Sequence, residues 1–188
     1  MITRCGWSIN AGQDYHDKEW GIPLHDDRRL FEFLILEGAQ AGLSWATILA
    51  KRENYRKAFD NFEASIIATY DQKKIDALLE NPGIVRNKLK VNSVVINAKA
   101  FLVAQKEYGS FDTFIWGFVE GKPIQNARKS LSDIPPKTDI SDQMSKVLKK
   151  RGFKFIGSTI CYAFMQATGM VNDHLIDCFR YEEVKGLH

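Results

Sequence analysis

Leu148-Lys149-Lys150-Arg151-Gly152-Phe153-Lys154-Phe155-Ile156-Gly157 sets two glycines five residues apart among four basic residues. Upstream of it, Asp139 to Lys150 sets Met144, Val147 and Leu148 at helical spacing, and downstream Ser158 to Thr168 reads as a second helix. Gly152 and Gly157 bracket a piece too short for anything but a tight turn. The whole, about 141–169, is therefore read as two helices joined by a hairpin.

The same helical period recurs along the rest of the chain. Leu30, Phe31, Phe33, Leu34 and Ile35 form an apolar stripe running toward Gly38, with Asp26 and Asp27 ahead of it as candidate caps. Ser44 can cap a helix through Trp45, Ile48, Leu49 and Tyr55 toward Phe59, its charges Lys51, Arg52, Glu53 and Arg56 falling on the outward face. Shorter helices are expected around Ser65 to Tyr70 and Gln72 to Leu79, ended by the turn residues Asn81-Pro82-Gly83. The longest helix is expected from about Arg86 to Tyr108, stopped by Gly109. Gly121 to Pro136 holds three of the five prolines and reads as a surface connection. The fold class is all-α, one domain over 1–188.

Composition bounds the function classes. A chain of 188 residues, 45% hydrophobic and 26% charged, is ordinary for a packed globular domain. It holds no run of about 18 apolar residues able to span a bilayer, and its first residues lack an apolar signal core, so a cytoplasmic protein without a membrane role is expected. Three cysteines, at 5, 161 and 178, do not make a disulfide framework; in a reducing compartment they are thiols or metal ligands. The net charge of +3 fits a polyanionic partner without requiring one.

Three groups of residues could carry chemistry. Cys5, His16, His174 and Cys178 are donors of the kind zinc prefers, two near each chain end, and a spacing of four puts His174 and Cys178 on one face of a helix or helical turn. The alternative is two small buried hydrophobes and two ordinary hydrogen-bonded histidines. Trp7, Tyr15, Trp20 and Trp45, with Glu37 near the end of an apolar helix, could sandwich a flat ring and accept hydrogen bonds from it; equally, each aromatic could be core packing and Glu37 solvated. At the hairpin, the backbone N–H groups of Gly152 to Gly157 and of Ser158 could hold a phosphate beside Lys149, Lys150, Arg151 and Lys154. A solvated basic turn between core helices is the other reading.

Taken in order along the chain, Arg4-Cys5-Gly6-Trp7, Tyr15-His16-Asp17-Lys18-Glu19-Trp20-Gly21, Leu36-Glu37-Gly38-Ala39-Gln40-Ala41-Gly42-Leu43-Ser44-Trp45, Lys51-Arg52-Glu53-Asn54-Tyr55-Arg56, the hairpin stretch, and Val171-Asn172-Asp173-His174 closely resemble the 3-methyladenine DNA glycosylase I family of helix-hairpin-helix glycosylases. The resemblance reaches from the first residues to about Cys178. It implies a two-lobed helical fold around a base pocket, one structural zinc per chain held by Cys5, His16, His174 and Cys178, Glu37 on the adenine edge, and Tyr15 and Trp45 stacked on an extruded base, with Trp7 and Trp20 nearby. Gln40 and Leu43 would lie near the gap left in the duplex, and Gly152, Lys154, Gly157 and Ser158 would anchor its backbone. The implied enzyme is a monomer acting on double-stranded alkylated DNA and releasing free 3-methyladenine.

Two departures bear on mechanism. Asn172 stands where related glycosylases carry an essential Asp, and Thr159 stands where strand-cleaving relatives carry a Schiff-base lysine, so lyase activity is not expected. The first is tolerable because N3-alkylated adenine is a cation that departs neutral, so less acid or anionic assistance is needed. Rival classes are a DNA-binding module without turnover, which would lack the pocket residues, and a zinc hydrolase, which would need an open coordination position.

Overall fold

The computed structural model describes residues 2–187. The chain enters through α1 (Ser8–Ala11) and α2 (Gln13–Lys18) and continues into α3 (Asp27–Gln40) and α4 (Trp45–Ala58). The Asp26 carboxylate caps α3 by accepting from Arg29 N, and the Ser44 hydroxyl caps α4 by accepting from Thr47 N. Then follow α5 (Ala64–Ile67), α6 (Gln72–Glu80), the long α7 (Lys88–Tyr108) and α8 (Phe111–Trp116). The last third holds α9 (Asp139–Lys150), α10 (Ser158–Ala167) and α11 (Phe179–Lys185).

The class is all-α, as the helical spacing predicts, with one local exception. Within the proline-rich connection, β1 (Ile124–Gln125) pairs in parallel with β2 (Val171–Asn172), Ile124 opposite Val171, and Arg128 bridges Leu175. The connection is thus stitched to the segment before the C-terminal helix instead of running free over the surface. Other elements that spacing does not reveal are α1, α2, α8 and α11, none longer than seven residues.

α3 is the axis of the fold. Every residue from Leu30 to Ala39 is buried, so the helix needs partners on all sides, and it packs against α4, α7, α8 and α10. Its far end meets the hairpin: a Cβ on Gly38 would lie 3.1 Å from Phe155 O, so any larger residue would push the hairpin back by a few tenths of an ångström. The hairpin is held from behind by Asn97, which accepts from Lys154 N at 2.7 Å and donates to Lys154 O at 3.0 Å. Ser145 Oγ donates to Ile156 O at 2.7 Å.

The N-terminal segment is fastened to the end of α10. Gly21 N donates to Gln166 O and Leu24 N to Thr168 O, at 3.1 and 3.0 Å. Gly169, at φ +73°, sits so close that a Cβ there would fall 2.4 Å from the Ile22 carbonyl carbon. Alanine at 169 would force the two strands of chain apart. Phe179 N donates to Thr3 O at 3.0 Å, joining the two chain ends.

Candidate active site and metal centre

A cavity of about 460 Å³ opens between two walls. Tyr15 from α2, Glu37 and Gln40 from α3, and Trp45 at the start of α4 form one, with Trp7 and Trp20 beside them. The other is the 131–136 segment, with Pro135 and Pro136, together with Ala163 and Gln166 of α10. The aromatic rings abut one another, Tyr15 to Trp45 at 5.5 Å and Trp7 to Trp20 at 4.9 Å between centroids. This volume and these flat apolar faces suit a planar ring of purine size.

Glu37 is the polar feature of that cavity. It is only 4% exposed, and burial, with no offsetting hydrogen bond or charge, pushes its carboxyl up to about 8. A carboxylate here becomes favourable when a cation or a set of N–H donors enters. The Trp45 indole N–H is likewise buried with no acceptor among the described residues. Tyr15 is buried, and desolvation followed by the Glu37 charge holds its phenol well above the ordinary value, so it remains a neutral ring.

Of the other expected site residues, Gln40 is half-buried and donates through Nε2 to Leu43 O at 3.1 Å, shaping the turn that carries the exposed Leu43. Lys90 reaches across from α7 and donates to Ala39 O and Ala41 O at 2.8 and 2.6 Å. An ammonium there satisfies the last carbonyls of α3 and complements its dipole. Gly152, Lys154, Gly157 and Ser158 lie together on the hairpin and the first turn of α10, with Lys154 exposed.

The four donors converge. Cys5, His16, His174 and Cys178 are all buried, and their ligand atoms lie within 4.8 Å of one another. Cys178 Sγ is 3.5 Å from His16 Nε2 and 3.7 Å from His174 Nδ1, and Cys5 Sγ is 3.7 Å from His174 Nδ1. A tetrahedral ion with zinc bond lengths to sulfur and nitrogen would set S to N edges of roughly 3.5–3.6 Å. The fit is close. The remaining ring nitrogens are also oriented: His16 Nδ1 lies 2.7 Å from Asp17 Oδ1, and His174 Nε2 lies 3.0 Å from Trp20 O. Arg4 in turn holds Asp17 in a fork at 2.8–3.0 Å. His174 and Cys178 do not share a helix; Cys178 N closes a turn onto Leu175 O and is followed by α11.

Asn172 and Asp173 are fully buried, and neither lines the cavity. Asn172 donates to Gln125 Oε1 and Tyr181 O, and its Oδ1 accepts from His174 N. Asp173 accepts from Tyr162 Oη, Gln166 Nε2, Asn126 Nδ2 and Arg128 Nε at 2.6–3.2 Å. Both side chains therefore fasten the segment bearing His174. The cavity wall at Pro135 and Pro136 and the supports Asp17, Lys90 and Asp173 have no role assigned from sequence. Paired prolines and a carboxylate directly after a candidate ligand histidine are the signals that could have found the first two.

The chain matches the family model described as methyladenine glycosylase over residues 7–181. It is 52% identical over 180 residues to the DNA-3-methyladenine glycosylase of Haemophilus influenzae, covering 95% of this chain and 97% of that protein. It is 46% identical over 185 residues to DNA-3-methyladenine glycosylase 1 of Escherichia coli K12, covering 96% and 97%. A crystal structure of a 3-methyladenine DNA glycosylase I shares 49% identity and a TM-score of 0.91, over 94% of this chain and 98% of that one.

Proposed function

The chain belongs to the methyladenine glycosylase family, and on that premise we propose which of its residues carry the activity. The enzyme is a monofunctional DNA glycosylase that flips 3-methyladenine out of alkylated DNA and hydrolyses its N-glycosidic bond. Glu37 is the group that selects. Its buried, uncompensated carboxyl against the aromatic cavity is the single observation that carries this reading.

A base alkylated at N3 brings a positive charge and an exocyclic amine. The base stacks against the adjoining Tyr15 and Trp45 rings, Trp7 and Trp20 close the rim, and Glu37 ionises to meet the charge. The C1′–N9 bond then breaks, its electron pair returning to N9 so that the base leaves neutral. Water adds to the electron-poor C1′ and gives its proton to solvent. Much of the barrier is removed by the alkylation itself, so the residues hold and orient more than they push. Thr159 offers no amine that could form a Schiff base and cleave the strand.

Duplex alkylated DNA is the partner and free 3-methyladenine the product. Gln40 and Leu43 face the vacated position in the duplex, while the N–H groups from Gly152 to Ser158, with Lys154, take a phosphate. The chain acts as a monomer. The ion is zinc, one per chain: two thiolates and two imidazoles fill its four positions, so what it supplies when bound is a cross-link between the chain ends. Incubation of methylated duplex DNA with the purified protein should release 3-methyladenine and leave the strand intact. Metal analysis should find zinc near one per chain. Retention of the base, or equal release from Glu37→Gln, would overturn the assignment.

A further inference from the structure

We propose that Arg52 is a positioning residue that sets the three inner walls of the base pocket against one another, a role that rests on the pocket assignment above. The walls come from three separate helices: Tyr15 from α2, Glu37 from α3 and Trp45 from α4. One guanidinium touches all three helices. Arg52 lies on α4, two turns beyond Trp45; its Nε donates to Glu32 Oε1 of α3 at 2.5 Å, and its Nη1 donates to both carboxylate oxygens of Glu19 at 2.9 Å. Glu19 is the C-cap of α2, its own N–H bonded to Tyr15 O at 2.9 Å.

The contact continues through rings. The Arg52 guanidinium stands 5.0 Å over the Phe33 ring, and Phe33 in turn packs against Tyr15 at 6.4 Å between centroids. Arg52 and Glu32 are both buried, at 7% and 5% exposure, so this is an interior ion cluster. Such a cluster contributes little net stability against an apolar replacement, because desolvation offsets the attraction. What it does supply is register: a rigid fork accepts only one relative placement of Glu19 and Glu32. Placement is what a stacking pocket needs, since small errors at a reacting base cost heavily in rate.

Arg52→Lys keeps the charge and removes the fork, so it separates positioning from electrostatics. On metal-loaded protein and methylated duplex DNA, the single-turnover rate of base release should fall by roughly 10- to 100-fold. Half-saturation by DNA should stay within about twofold, because the duplex is gripped elsewhere. Quenching of tryptophan fluorescence by free 3-methyladenine should weaken in step with the rate. A residue of purely structural importance would lower the melting temperature without this split. Folded Arg52→Lys with an unchanged single-turnover rate would overturn the proposal. Should that variant not fold, Glu19→Ala decides: it removes the acceptor of the α2 arm, together with the exposed Arg29 contact at 3.3 Å, and its rate should fall several-fold, an unchanged rate again being fatal. Wild-type protein that neither releases the base nor is quenched by it would instead overturn the pocket assignment.

Discussion

A carboxylic acid sealed among aromatic rings costs free energy to ionise, and Glu37 shows the consequence in both stability and rate. Its carboxyl is held up to about 8 by burial, against an ordinary glutamate value near 4.3 in the unfolded chain. Between those two values the folded protein binds the extra proton, so the contribution of Glu37 to stability is most favourable below pH about 4 and is lost as pH rises through about 8. Glu37→Gln removes that dependence. Melting curves should show the variant gaining on wild type progressively across this window and then holding a constant lead, each kcal/mol gained being worth roughly 2–4 °C. On the proposed role of Glu37 the kinetic sign is opposite, because the ionised form would receive the cationic base. For wild type, kcat/KM should climb with pH toward a plateau above about 8, while the Gln variant should be slower by roughly 10- to 100-fold and lack that limb. A Gln variant that retained the limb would mean that some other group titrates. Tyr15, whose phenol burial likewise pushes up, well above its ordinary value, does not confuse the profile.

At the level of elements, the hairpin between α9 and α10 is braced from the far side by Asn97, which holds Lys154, alongside Ser145 on Ile156 O. Asn97 is 2% exposed and bonds both the N–H and the carbonyl of that residue. Asn97→Ala leaves both groups without these partners, at a cost of about 1–3 kcal/mol. On the proposed role of the hairpin in gripping the duplex and not the base, the variant should require more DNA for half-saturation while keeping its single-turnover rate at saturating DNA, the reverse of the Arg52→Lys pattern. Loss of rate at saturation would place the hairpin in the chemistry. The hairpin is also where the sequence was most legible: Asp139 to Lys150 and the start at Ser158 are the helix limits found, since caps, glycines and apolar period all agree there. The longer helices α3, α4 and α7 were legible for the same reason. Legibility failed for α1, α2, α8 and α11, which are too short to display a period, and for β1, whose partner lies more than forty residues away. Glu37 shows the limit from the other side. Its own neighbours suggest a solvated helix end, and only the packing of the 131–136 segment and α10 opposite makes the position a pocket.

For the whole molecule, an ion held by the four converging donors would decide whether the ends of the chain belong to the fold. Cys5 and His16 come from the entry segment, and His174 and Cys178 from the exit, so one ion bound there would close nearly the full length of the chain. By analogy with a disulfide, closing a loop of about 100 residues or more removes roughly 4–5 kcal/mol of unfolded-chain entropy, with the bonding free energy added to it. Apart from the four donors, the entry segment is held at its inner end by Gly21 N on Gln166 O and Leu24 N on Thr168 O, and the exit segment by the buried Asn172 and Asp173, whereas among the described residues the outermost stretches meet through Phe179 N on Thr3 O. Removing the metal should therefore loosen 2–24 and 171–187 ahead of the rest, seen as faster hydrogen exchange there, while 139–167 stays protected. Tyr15 immediately precedes a ligand on the same short helix, so the pocket loses a wall with the clamp. Protein stripped by a chelator should then bind duplex DNA through the hairpin yet fail to release 3-methyladenine, and zinc should restore release together with the melting temperature. Stripped protein that melts as before and turns over at full rate would leave the four donors with no part in holding the molecule together. In that case the alignment of Tyr15 would have to be secured by the Arg52 fork and the Gly21 to Gln166 and Leu24 to Thr168 bonds alone.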